Sequence, residues 1–337
     1  MKIKQSFSEI VSFSLKENIL ININGNITEL DGKKIGEIND ARKSFKLNSD
    51  EIIILDSLNK PFYLFSGNLL IQNQRISTVT DKYFLTYSKK PRRYAIFDKQ
   101  QMNCLFEANS SFGDVVLNDL IFSYNSGIIY CYNILSGEYI LQFNLSNVED
   151  KISSIIEFSG IHKNTLVCTL ENGGVLGVDI DKAEQVFYFS NAQLRSGLYQ
   201  KEEDSPIFIG LKHWTYLELN AEKGELIKKV DLQPQLKVLG DIPKESPCWL
   251  SINTKKYENN LIYFFADKNY VGVFDIEKTE IIDFHQFNFL DKKTTLKSGA
   301  ESLQIKGNEI YCLDTNNDLH ILETTPLAQS SSSCRKE

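Results

Sequence analysis

Apolar residues come along the chain in short runs of about four to seven, separated by clusters of Asn, Asp, Gly and Ser. IIIL (52–55), LIYFFA (261–266) and GVFDI (272–276) are nearly continuous instead of alternating. That is the pattern of strands covered on both faces. Asn24-Gly25-Asn26, Ser126-Gly127 and Asn172-Gly173-Gly174 punctuate the runs. They read as turns, because Gly supplies positive φ and Asn hydrogen-bonds its own backbone. No ten-residue segment has a convincing 3.6-residue apolar period, so helix is expected to be nearly absent.

The polar breaks also repeat. Four segments run apolar strand, Asp or Asn, three residues, a small residue, Glu, apolar strand: IIYCYNILSGEYILQF, VLGVDIDKAEQVFYF, TYLELNAEKGELIKKV and YVGVFDIEKTEIIDF. Their Asp/Asn positions, Asn133, Asp179, Asn220 and Asp275, are 46, 41 and 55 residues apart. Looser copies surround Asp31 and Asp98, a weaker unit lies near Phe62–Phe65, and Asp318 to Glu323 ends another. The motif is a hairpin in which Asp or Asn caps the turn and the small residue takes a left-handed conformation. Gly137 and Gly224 suit that demand. Ala183 and Thr279 do not, so their turns are expected to close differently.

Units of about 40–45 residues, each with four short antiparallel strands, are the signature of a β-propeller, in which neighbouring sheets bury each other's faces. About 30 strands can be counted, enough for seven or eight four-stranded blades. The first and last strands are expected to share one blade, closing the ring and removing its exposed edges. Residues 1–326 then form one all-β domain, with a Ser-rich disordered tail at 327–337.

Composition narrows the function classes. Lys plus Arg total 37 against 44 Asp plus Glu, a net charge of −7, which argues against nucleic acid or an anionic membrane as partner. No run approaches the 18 apolar residues of a membrane span, and the N-terminus lacks a secretory apolar core. Six cysteines are scattered without a CxxC pair, and Cys131, Cys168 and Cys312 stand in apolar runs. Reduced thiols and a cytoplasmic location are therefore expected. His162, His213, His285 and His320 have no metal-ligand spacing, and nucleophile-elbow, zincin, P-loop and dinucleotide motifs are missing. No catalytic residue, metal site or cofactor is expected, and the protein reads as a non-enzyme.

What remains is binding. Lys89, Lys90, Arg92 and Arg93 of KKPRR form the one concentrated basic run, expected as an exposed loop between two strands, which reads as a solvated turn or, as a candidate contact, as the element that meets an acidic patch on a partner. The longest segments read as irregular are 193–206, 231–247 and 287–299, and long connections often carry function. The first contains Tyr199 and leads toward His213 and Trp214, and the second leads into Trp249, so these four complete the candidate contact set. Trp249 in PCWLSIN could equally be core.

IYCYNILSGEYILQFN resembles the strand–Asp–x–x–x–Gly–Glu–strand hairpin of pyrroloquinoline-quinone-type repeats, and the chain as a whole resembles the quinoprotein-like and WD-type β-propeller superfamily. Compact propellers of this sort, in bacterial-looking sequences rich in Lys, Asn and Ile, look like immunity proteins that bind and block a cognate toxin. The resemblance thus implies a protein partner, with a basic toxin domain suited to the net negative charge. A ligand binder or quinoprotein-like enzyme using the axial funnel, and a scaffold subunit of a larger complex, are the alternatives.

Overall fold

In a computed structural model the described residues are 1–46, 51–63, 74–89, 91–109, 111, 113, 115–148, 154–190, 197–202, 204–212, 214–236, 252–266, 270–286, 300–314 and 316–324. They form an eight-bladed β-propeller, settling the blade count at the larger of the two expected numbers. Blades one to seven occupy residues 10–37, 41–63, 75–108, 115–144, 155–189, 198–231 and 252–286. Each is an up-and-down antiparallel meander of four strands, except blade two, which has three among the described residues. Blade eight takes its inner three strands from residues 300–323 and its outermost from Lys2–Phe7, which pairs with Leu319–Glu323. The chain's two ends thus close the ring, as the edge argument requires.

Alternation within each strand explains why the apolar runs are continuous. Ile54 faces blade one and packs with Ile19, Ile21 and Ile27, while Ile53 and Leu55 face blade three and pack with Ile76 and Phe84. Tyr311 and Leu313 meet blade one, whereas Ile310 and Cys312 meet blade seven. Eight clusters of buried residues result among the described residues, one in each seam between neighbouring blades. Cys131, Cys168 and Cys312 are buried in these seams as small apolar groups, and burial pushes the Cys131 thiol up to about 12. Helix is confined to Gln233–Leu236 and a 3-10 turn at Leu145–Asn147 among the described residues.

The repeated motif is the turn between the third and outermost strands. Asn133 Oδ1 accepts from the amides of Leu135 and Ser136, Asp179 Oδ1 from Asp181 and Lys182, and Asn220 Oδ1 from Glu222 and Lys223, all at 2.8–3.1 Å. Four residues after the capping side chain the backbone is left-handed: φ is 70° at Gly137 and 62° at Gly224. It is also 54° at Ala183 and 58° at Thr279. The expectation that these two turns close differently was wrong. The capping bonds and the strand register impose one geometry, and the side chains accept the local strain.

Two further expectations are corrected here. Segment 193–206 is not wholly irregular, since Leu198–Gln200 is the innermost strand of blade six, paired with Ile207–Lys212. Segment 231–247 starts as the end of strand Glu225–Asp231 followed by the helical turn, with residues 237–247 outside the described set. Segment 287–299 and the tail at 327–337 also lie outside it.

Candidate functional site

A meander places its turns on two faces of the ring. Turns between the second and third strands share one face with the connections between blades, and the remaining turns occupy the other. The basic run lies on the first face. It is mostly strand and not loop: Tyr83–Lys89 and Arg92–Asp98 pair directly up to Lys89 and Arg92. Lys90 itself is outside the described residues. The base of the hairpin, Tyr83 to Thr86, is buried, and the tip is exposed, so Lys89, Arg92 and Arg93 stand clear of the ring.

Their arrangement is unfavourable in isolation. Lys89 is the direct cross-strand partner of Arg92, and like charges so placed repel. The Arg92 guanidinium lies 5.6 Å from the Tyr94 ring centroid, and its Nε and Nη2 donate to Tyr94 Oη at 3.3 Å. Arg93 Nη1 is 3.2 Å from Glu107 Oε1 on the outermost strand, an exposed pair of small energetic weight. The hairpin therefore offers a cationic tip whose charge is only partly offset.

The aromatic candidates behave differently. Trp214 is 1% exposed, so it cannot be the surface anchor expected of it. It sits in the two-residue turn between Ile207–Lys212 and Thr215–Asn220 at φ 60°, and its carbonyl accepts from Leu232 N at 2.7 Å. That conformation directs the ring into the seam with blade seven, edge-on to Phe264 with centroids 5.6 Å apart. Tyr199 is also held inward, half-buried and stacked on Tyr257 at 6.4 Å; burial and the Glu157 charge push its hydroxyl up to about 12. His213 and Trp249 lie outside the described residues.

One constellation escaped the sequence reading because its members come from both chain ends. Ser6 Oγ is 3.0 Å from His320 Nδ1, and His320 Nε2 is 3.3 Å from Asp314 Oδ2. The residue types match a nucleophile–base–acid relay. Asp314 Oδ1 also accepts from the amides of Asn316 and Asp318, fixing the turn it sits in. Ser6 belongs to the closing strand, so the chain of bonds ties the last three strands of the ring together. Of the other described histidines, His162 Nδ1 is 2.9 Å from the Asp204 carbonyl and burial lowers the pKa of His285. Among the described residues, no group of three or more His, Cys, Asp or Glu side chains could hold a metal ion.

The architecture has known counterparts. A computationally designed protein, Ika8, superimposes with a TM-score of 0.58 at 14% identity, covering 94% of this chain and 96% of that one. BamB from Moraxella catarrhalis gives 0.56 at 11% identity over 97% and 98%, and the C-terminal WD40 domain of Sif2 gives 0.59 at 13% over 96% and 98%. At these identities the likeness is one of fold, and it agrees with the repeat-level resemblance to quinoprotein-like and WD-type propellers. No family model and no curated protein matches the chain.

Proposed function

We propose that this propeller is a non-enzymatic protein-binding platform whose contact face carries the hairpin tip Lys89–Arg93. The observation that carries the reading is the register itself: the pairing of the two strands sets Lys89 against Arg92 at an exposed tip. A stability cost of that kind, repaid only by a carboxylate-bearing partner, is what a recognition element looks like.

The narrower form of the proposal is a cytoplasmic immunity protein that occludes a cognate toxin. It is supported by the sequence resemblance and by the net charge of −7, which would steer an overall basic partner while the hairpin seats on that partner's acidic patch. The test is charge reversal of Lys89, Arg92 and Arg93 to Glu. Proteins retained from a host lysate by the wild-type bait at physiological salt should be reduced about tenfold or more by the triple variant, the scale expected for like-charge juxtaposition. Equal retention, with both baits melting alike, would reject the hairpin as the contact. Rescue of cells expressing a neighbouring toxin gene, lost in the same variant, tests the immunity form separately.

A further inference from the structure

A cavity of about 630 Å³, a volume in the range of small-molecule sites, is lined by residues of blades one, two and three. Its floor and walls include Phe45, Leu55, Ile76 and Val79. Turns of blades one and three close over it: Lys16 Nζ meets Asp81 Oδ1 at 2.8 Å, and Glu17 Oε1 accepts from the Lys46 amide at 2.9 Å. Both carboxylates in the lining are thereby engaged. The cations are less so. Lys99 is 8% exposed, and its Nζ donates to the Thr80 carbonyl at 3.0 Å. Among the described residues no carboxylate lies within ion-pair distance of Lys99, Lys43 or Lys46.

An ammonium removed from water without a counter-charge is costly, and buried charges are ordinarily paired. Burial, assisted by the Lys16 charge and opposed by Asp81 and Glu17, lowers the pKa of Lys99. A buried cation without an ion-pair partner, set beside an apolar wall, describes one kind of guest.

We infer that this cavity binds a small organic anion, its carboxylate or phosphate on Lys99 and its apolar body against Phe45, Leu55, Ile76 and Val79. None of Lys89, Arg92 and Arg93 of the protein-binding hairpin lines the site, so either can fail alone.

The test uses the full chain and calorimetric titration with phenyl phosphate, phenylacetate, benzyl alcohol and inorganic phosphate. At least one aromatic anion should saturate by about 10 mM, where millimolar ligands are bound, and the neutral alcohol and bare phosphate should bind at least about tenfold more weakly. Which anion binds more tightly separates the phosphate from the carboxylate form. Lys99→Met, matched in length, should weaken the anion about tenfold, while Lys34→Met on the outermost strand of blade one should not change it. In the wild type, amide shifts on titration should centre on Ser44, Ser77 and Thr80, a readout that needs no variant to fold. No binding by either anion, an undiminished affinity in Lys99→Met, equal binding of benzyl alcohol, or shifts centred elsewhere would each overturn the assignment.

Discussion

The seam between blades six and seven and the seam between blades two and three use equivalent strands, yet among the described residues the first is filled by aromatic rings and the second borders a cavity. In the first, Trp214, Tyr216, Phe264 and Phe274 are all buried, with Trp214–Phe264 and Tyr216–Phe274 centroids 5.6 and 4.8 Å apart. Glycine makes room for this: a Cβ on Gly272 would stand 2.2 Å from the Phe264 ring. In the second, Ile53, Leu55, Ile76 and Phe84 do the sealing, and about 630 Å³ is left open beside them. In a ring of similar wedges the repeat sets the fold, and local side-chain volume decides whether a seam becomes core or site. The backbone alone does not distinguish the two.

The largest effect should come from emptying the solid seam. Phe264→Ala removes a ring touching Trp214 and facing Gly272, and is expected to cost about 3–5 kcal/mol in denaturant unfolding. Ile76→Ala at the hollow seam should cost about 2 kcal/mol, the low end for such truncations, because the new space merges with an existing one instead of opening a fresh void. Equal losses would mean that the two seams are packed alike and that the cavity has no energetic reality.

A polar tie between blades three and four gives the next effect, visible in pH. Tyr83 Oη donates to Asp119 Oδ1 at 2.7 Å, and burial, followed by this hydrogen bond, pushes the Tyr83 hydroxyl up to about 12. The unfolded chain releases this proton near 10, so the folded state binds it more tightly. The stabilisation is complete below about pH 10 and lost as pH rises to about 12, a change of about 2–3 kcal/mol. Tyr83→Phe should remove that portion of the alkaline decline, seen as a smaller fall in unfolding free energy between these limits. A parallel decline in both proteins would show that Tyr83 is not the group responsible.

The parts of this contrast were unequally legible beforehand. The turn before each outermost strand announced itself because Asp or Asn and a small residue recur at fixed spacing beside strong apolar runs. A second repeat went unread: Asn22, Asp56 and Asp314 each accept from backbone amides two and four residues on, with φ between 58° and 78° at Gly25, Asn59 and Asn317. Its flanking strands are short, and Asn and Asp are too common for that spacing to stand out. The basic tip was readable because charge on a tight turn has nowhere to go but outward. Trp214 was misassigned because its position in a turn does not reveal which way the ring points. The cavity had no signature at all, since it joins residues of three blades, from Lys16 to Lys99, whose proximity exists only once the ring has closed.

The smallest predicted effect bears on how far a repeat can drift before its geometry does. Ala183 and Thr279 hold φ values of 54° and 58° where Gly137 and Gly224 hold 70° and 62°. A Cβ in this region collides with the neighbouring carbonyl, a penalty larger than the extra chain entropy that glycine gains on unfolding. Ala183→Gly and Thr279→Gly should therefore each stabilise by about 0.5–1 kcal/mol, measured as an upward shift in midpoint at unchanged slope. Gly137→Ala should lose more than this, because its Cβ would also stand 2.7 Å from the Phe106 ring. If Ala183→Gly proves destabilising, unfolded-state entropy outweighs the strain, and the alanine at this turn is an adaptation and not a tolerated departure.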